Sequence, residues 1–225
     1  MSEFDVIKGF AFDMDGVLAD TARFHTIAWR KIADEVGTTW TKELEEGLKG
    51  IDRMGSLALI ISAGRHDDEY DQSAREALAE KKNTNYRELI STLTPADILP
   101  GMQQFLDELK AANYQLSVAS ASKNAPFIIE RLGLGDYFEA VVDPASVAAG
   151  KPDPAIFAAA AKVLNLEPEQ VIGLEDSAAG IQSINGAGEI SVGIGNANVL
   201  AEADVNFDKT ADVTLNAIKV ALDSK

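Results

Sequence analysis

The sequence predicts an α/β fold: a mostly parallel sheet with helices on both faces, plus an all-helical domain inserted after the first strand. Three observations carry that prediction. Short β-branched and aliphatic runs alternate with helix-period patterns over most of the 225 residues, which is how βαβ units read. The stretch 21–93 breaks the rhythm with helical patterns alone. Polar clusters follow four of the strand runs, and open parallel sheets bind ligands beyond the carboxyl ends of their strands.

The first strand, 7–12, is an apolar run that stops at Asp13-Met14-Asp15-Gly16. Helical patterns follow at 21–36, 42–48, 53–63 and 72–92, and punctuation at Pro95 and Pro100-Gly101 marks the exit. The expected division is a core of residues 1–20 and 94–225 with a helical cap, 21–93, folding as a lid over the strand ends. Core strands are expected at 115–119, 140–142, 171–174 and 190–194, each short and closed by polar residues or glycine. Core helices are expected at 101–112, 124–132, 153–164 and 177–187. Asp153-Pro154 offers the third of these a capping carboxylate and a first-turn proline. Residues 196–209 carry no decipherable pattern.

Composition narrows the function. With 36 acidic and 20 basic residues the formal charge is −16, which argues against nucleic acid or an anionic membrane as partner. There is no cysteine, so disulfides, thiolate metal sites and cysteine nucleophiles are excluded. The start, Met1-Ser2-Glu3, has no signal-peptide character, and no apolar run approaches the roughly 20 residues of a membrane helix. A cytoplasmic monomer is expected. An acidic enzyme of phosphorylated substrates must gather its few cations locally and add a metal.

Asp13 and Asp15 stand two residues apart where a buried strand stops, so both can address one site, and Gly16 permits the tight turn out. One acid can stay ionised beside a metal as nucleophile while the other, held off the metal, exchanges protons. Asp-x-Asp-Gly alone arises by chance in roughly one chain in twenty of this length, so it needs company. Three clusters supply it. Ser120-Ala121-Ser122-Lys123-Asn124 combines hydroxyls, a cation and helix-start amides, a phosphate cradle. Gly150-Lys151-Pro152 holds one lysine in a constrained loop, and Glu175-Asp176-Ser177 is an acidic pair suited to a hard cation. Each taken singly reads equally well as a helix cap or surface loop; four at four strand ends do not.

In order and spacing these residues resemble the four motifs of the haloacid dehalogenase (HAD) superfamily, over nearly the whole chain. The resemblance implies a Rossmann-like core and Mg²⁺-dependent phosphoryl transfer through an aspartyl-phosphate on Asp13. Asp15 would be the general acid/base and lend the metal its main-chain carbonyl. Ser120 and Lys151 would hold the transferring phosphoryl group, and Glu175 and Asp176 would complete the metal site.

A phosphatase needs one phosphate site and water, whereas a sugar-phosphate mutase needs a second cationic cluster for the distal phosphate. The lid offers Lys49-Gly50, Arg53, Ser56 and Lys82, and Arg53 can grip a phosphate bidentately. From the residues alone Arg53 reads more readily as a solvated charge, His25 as structural or exposed, and Trp29, on the same helix face, as core. The run from Asp20-Thr21 through His25, Leu48-Lys49-Gly50-Ile51, Arg53, Ala119-to-Asn124 and Gly173-to-Ser177 resembles the β-phosphoglucomutase family. That likeness implies interconversion of β-glucose 1-phosphate and glucose 6-phosphate, with β-glucose 1,6-bisphosphate as intermediate and activator. Arg53, Ser122, Lys123 and Asn124 would hold the non-transferring phosphate, Thr21 would lie at the hinge, and His25, Trp29 and Lys82 would meet the sugar. Gly150 departs from the pattern, which more often has serine there. The alternatives are a phosphatase of sugar phosphates or phosphoglycolate, and a non-enzymatic phosphoacceptor module.

Overall fold

The computed structural model describes residues 3–224. Met1, Ser2 and Lys225 lie outside the described residues, and with them the outermost core boundaries and the start read above as no signal peptide. Six strands form one all-parallel sheet in the order β3-β2-β1-β4-β5-β6. They are β1 (Gly9–Phe12), β2 (Gln115–Val118), β3 (Ala140–Val141), β4 (Val171–Glu175), β5 (Ile190–Ile194) and β6 (Val205–Phe207). Chain order reverses at β1, whose last residue, Phe12, pairs with Val118 on one side and Leu174 on the other. The loop after β1 therefore opens at the switch point of the sheet, where such folds bind ligands.

Alternation along β1 splits the core. Phe10 and Phe12 point into one apolar layer, and Ala11 into the other. The first layer takes α5 (Met102–Ala111), α6 (Ala125–Arg131) and α9 (Leu215–Asp223), and the second α7 (Ala155–Val163) and α8 (Ala178–Ala187). Phe10 and Phe105 meet edge-on at 5.8 Å, a geometry that adds to their area burial. Asp153 accepts from Ala155 N and Ser177 from Gly180 N, so α7 and α8 begin where their capping residues allow. β6 and α9 had no strand or helix assigned from sequence. β6 is three residues long with Asn206 at its centre, too short for a period to show; its pairing with β5 makes it a strand.

Between β1 and β2 lie α1 (Ala22–Glu35), α2 (Lys42–Gly47), α3 (Arg53–Ala63) and α4 (Gln72–Ile90), with no strand among the described residues 21–93. These helices have an apolar cluster of their own, centred on Trp29, Ile32, Leu57, Ile60, Ile61 and Leu78. Truncating a fully buried member such as Ile60 to alanine costs about 2–5 kcal/mol. Phe24 and Ala28 of α1, with Tyr86 and Ile90 of α4, instead pack into the sheet's core, so these two helices root the unit beside the end of β1. No helix among the described residues is long and apolar enough to cross a membrane.

Glu189, just before β5, is buried, and neither carboxylate oxygen has a hydrogen-bond partner among the described residues. Burial pushes it well above the usual carboxylate range. Its unfolded form ionises near the ordinary value, so the folded state binds the extra proton over the window above that value. Stability contributed by the protonated acid is thus present at low pH and lost as pH rises through the folded value. Glu189→Gln should gain melting temperature over the wild type as pH is raised from 5 to 8; a pH-independent difference would show that Glu189 does not titrate in this way.

Candidate active site

Asp13 follows β1, and its backbone N–H donates to Leu174 O at 2.9 Å, so the strand ladder itself sets it beside the end of β4. Lys151 arrives from the loop before α7. Its Nζ donates to Asp13 Oδ1 at 2.6 Å and to Glu175 Oε2 at 2.7 Å, and all three side chains are buried. The other oxygen of Glu175 accepts from Asp176 N, Ser177 N and Ser177 Oγ at 2.9–3.1 Å. Gly180 leaves room for this carboxylate, because a Cβ there would overlap it.

Carboxylate oxygens of Asp13, Glu175 and Asp176 lie within 4.8 Å of one another. Three acids around one ammonium leave a buried excess of negative charge. Burial, then Glu175, push Asp13 up to about 8 against the pull of Lys151. Burial, Glu175 and Asp13 likewise push Asp176 well above the usual range. Burial opposes the charge on Lys151, but Asp13 and Glu175 outweigh it and hold the ammonium protonated. An all-oxygen donor set with surplus negative charge fits a hard divalent cation such as Mg²⁺, which would return both aspartates to their ionised forms.

Asp15 has different company. Its carboxylate accepts from Thr21 Oγ1 at 2.5 Å and faces His25 Nε2 at 3.5 Å, outside the acidic cluster. Burial disfavours its charge, but His25, Thr21 and Lys82 together hold it below the usual range. Lys82 Nζ lies 2.8 Å from His25 Nδ1 and over the faces of Trp29 and Tyr86. An ammonium has no lone pair, so charged Lys82 donates, Nδ1 accepts, and the ring proton of a neutral His25 sits on Nε2 toward Asp15. Burial, then Lys82, keep His25 below its ordinary value, and burial pushes Lys82 down to about 7.

A cavity of about 750 Å³ joins this centre to the helical unit. At its far side Arg53 Nη2 and Asn124 Nδ2 both donate to Asn83 Oδ1, at 2.8 and 3.0 Å. Of the residues singled out in the sequence, His25, Trp29, Lys49, Gly50, Arg53, Ser56, Lys82, Ala121, Ser122, Lys123, Asn124 and Lys151 line the cavity with Asp13, Asp15 and Asp176. Thr21, Ser120 and Glu175 stand behind the wall, bonded to Asp15, Ser122 and Lys151. The expected amide cradle is partly used up: Ser120 Oγ accepts from Ser122 N, and Ser122 Oγ from Asn124 N. That leaves the Lys123 and Asn124 side chains facing the cavity.

Lining residues for which the sequence suggested no role include Thr26, Trp40 and Glu45. Thr26 was within reach, since Ala22, His25, Thr26 and Trp29 share one face of α1 at helical spacing. Trp40 and Glu45 come from the loop before α2 and from α2 itself, whose local pattern gives no hint of where they point.

The sheet with its switch-point aspartate, buried lysine and acidic cluster defines a phosphoryl-transfer enzyme of the HAD type. A family model for haloacid dehalogenase-like hydrolases matches residues 7–188, and the chain belongs to that family. It is 41% identical to β-phosphoglucomutase of Bacillus subtilis (strain 168) over 212 residues, covering 94% of each chain. The crystal structure of β-phosphoglucomutase from Clostridium difficile superposes with a TM-score of 0.93 at 39% identity, over 97% of this chain and 98% of that one. A phosphorylated carbohydrates phosphatase of Thermotoga maritima is also similar, 30% identical over 184 residues, 81% of this chain and 82% of that one.

A ligand bound only by the folded form raises its stability. Mg²⁺ added after chelation should therefore raise the melting temperature of the wild type, and by much less in Asp176→Asn. Equal shifts in the two proteins would remove Asp176 from the metal site.

Proposed function

We propose that the protein is an isomerase that interconverts β-D-glucose 1-phosphate and D-glucose 6-phosphate through a phosphorylated Asp13 and a β-glucose 1,6-bisphosphate intermediate. The observation that carries this is one cavity with cationic side chains at two places: Lys151 beside Asp13 at the sheet, and Arg53 and Lys123 with Asn124 opposite. The likeness to β-phosphoglucomutases over nearly the full chain supports the same reading.

In the proposed cycle a bisphosphate donor first phosphorylates Asp13. Asp15 then takes the proton from the sugar 6-hydroxyl, whose oxygen attacks phosphorus as the bond to Asp13 breaks. The bisphosphate turns over, Asp13 attacks the phosphorus at the 1-position, and Asp15 returns its proton to the departing oxygen. Lys151 and Ser120 steady the transferring group, while Arg53, Ser122, Lys123 and Asn124 hold the idle phosphate. Asp13, Asp15 through its main-chain carbonyl, Glu175 and Asp176 would hold Mg²⁺, which when bound supplies charge neutralisation and alignment of the phosphoryl oxygens.

Residues 21–93 serve as the lid over a core of 1–20 and 94–225. Thr21 and His25 sit where α1 leaves the core and both address Asp15, so lid position and the acid/base are mechanically linked. Lid closure protects the aspartyl-phosphate from water. The same reading takes the enzyme as a cytoplasmic monomer acting on a small-molecule sugar phosphate.

Incubation of β-glucose 1-phosphate with catalytic bisphosphate and Mg²⁺ should yield glucose 6-phosphate; free phosphate alone would install the phosphatase reading instead. Asp13→Asn should abolish turnover and Asp15→Ala lower it by two orders of magnitude or more, the scale of a lost general acid/base, on the order of 10²–10⁴. An active double variant would sink the scheme. Arg53→Ala should cut isomerisation far more than hydrolysis of a small phosphate ester, since only the former uses the distal phosphate.

A further inference from the structure

Glu45 of α2 is a carboxylate on the wall of an anion-binding cavity, which calls for a reason. Thr26 Oγ1 donates to its Oε1 at 3.0 Å, and Trp40 Nε1 donates to its Oε2 at 3.1 Å. The two donors come from α1 and from the segment before α2, so the carboxylate is clamped in orientation by two separate parts of the lid. Among the described residues no ion pair to Glu45 is present; the nearby Lys49 pairs with Glu46 at 3.1 Å. Each oxygen of a carboxylate has a second acceptor position, so a clamped Glu45 still has capacity to accept. A phosphate beside it is disfavoured by like charge, whereas a neutral hydroxyl is a natural donor. Trp29 and Trp40 add aromatic surface to the same cavity, and such faces pack well on the apolar face of a sugar ring.

We propose that Glu45, oriented by Thr26 and Trp40, is a specificity-determining residue that accepts hydrogen bonds from the hydroxyls of the monosaccharide ring between the two phosphate sites. The cations at both ends take phosphates and cannot tell one hexose from another; the lid carboxylate reads the hydroxyl pattern. Its charge also bars a phosphate from settling midway, which helps the bisphosphate occupy both ends. The inference rests on the sugar-phosphate reading above and names the residue that selects the sugar.

Steady-state kinetics of wild type, Glu45→Gln and Trp40→Phe with β-glucose 1-phosphate and with its mannose, allose and galactose epimers test it. Phosphorylation of Asp13 by acetyl phosphate, which carries no sugar, is the parallel measurement. Glu45→Gln should lower kcat/KM for the preferred hexose phosphate about ten- to hundredfold, the scale of a hydrogen bond to a charged group. Its discrimination between epimers should shrink, and the loss on acetyl phosphate should be much smaller. Trp40→Phe, which frees one oxygen of the clamp, should move selectivity the same way by less. Unchanged epimer ratios in Glu45→Gln, or an equal loss on acetyl phosphate, would overturn the assignment while leaving the mutase reading intact. A wild type that turns over no hexose phosphate would overturn the underlying reading and the inference with it.

Discussion

A buried ammonium between two buried carboxylates is the constraint around which the site is organised. Lys151 touches Asp13 and Glu175 at once, and removing one partner of such a group leaves uncompensated charge in the interior, a loss of about 3–5 kcal/mol. Neighbouring choices serve that arrangement. Glu175 spends its second oxygen on Asp176, Ser177 and the start of α8, Gly180 clears space for it, and the strand ladder delivers Asp13 alongside. The remaining negative charge is what makes the place suited to a metal. Lys151, the acidic cluster and Asp13 are one electrostatic unit.

The helical unit repeats the same logic with different parts. Lys82 is a second buried ammonium, but it faces two aromatic rings and an imidazole rather than carboxylates. It is accordingly pushed down where Lys151 is pushed up. One lysine is a fixed charge and the other sits near its titration point. Asp15 lies between these two environments: it follows Asp13 in the chain by two residues yet bonds to Thr21, where the helical unit begins. A protein with a formal charge of −16 reconciles itself with phosphorylated substrates by gathering a few cations, two of them buried, around one cavity.

The parallel sheet, the four core helices 101–187 and the helical insert were legible in the sequence, because alternation of strand and helix patterns survives without tertiary information. So were Asp13, Lys151 and Asp176, each tied to the end of a strand. What escaped has physical causes. β6 takes its character from pairing with β5, and Glu189 looks like an ordinary turn acid until the fold closes over it. Glu45 and Trp40 reach the cavity by the packing of lid helices on one another, information that no local window holds. The bond from Ser122 N to the Ser120 hydroxyl, internal to its loop, is likewise invisible in a local window.

The order of the strands has a further meaning for how the enzyme comes into being. Lys151 meets Asp13 across 138 positions of chain, and the helical unit occupies much of that interval. A growing polypeptide therefore displays its nucleophile early and must wait for β4 before the centre exists at all. The helical unit closes its own contacts within residues 22–90, a shorter span than separates Asp13 from Lys151, and is suited to fold first, as shorter-range topologies fold faster than distant pairings. During synthesis the helical unit precedes most of the sheet it packs on, and Asp13 waits without its lysine.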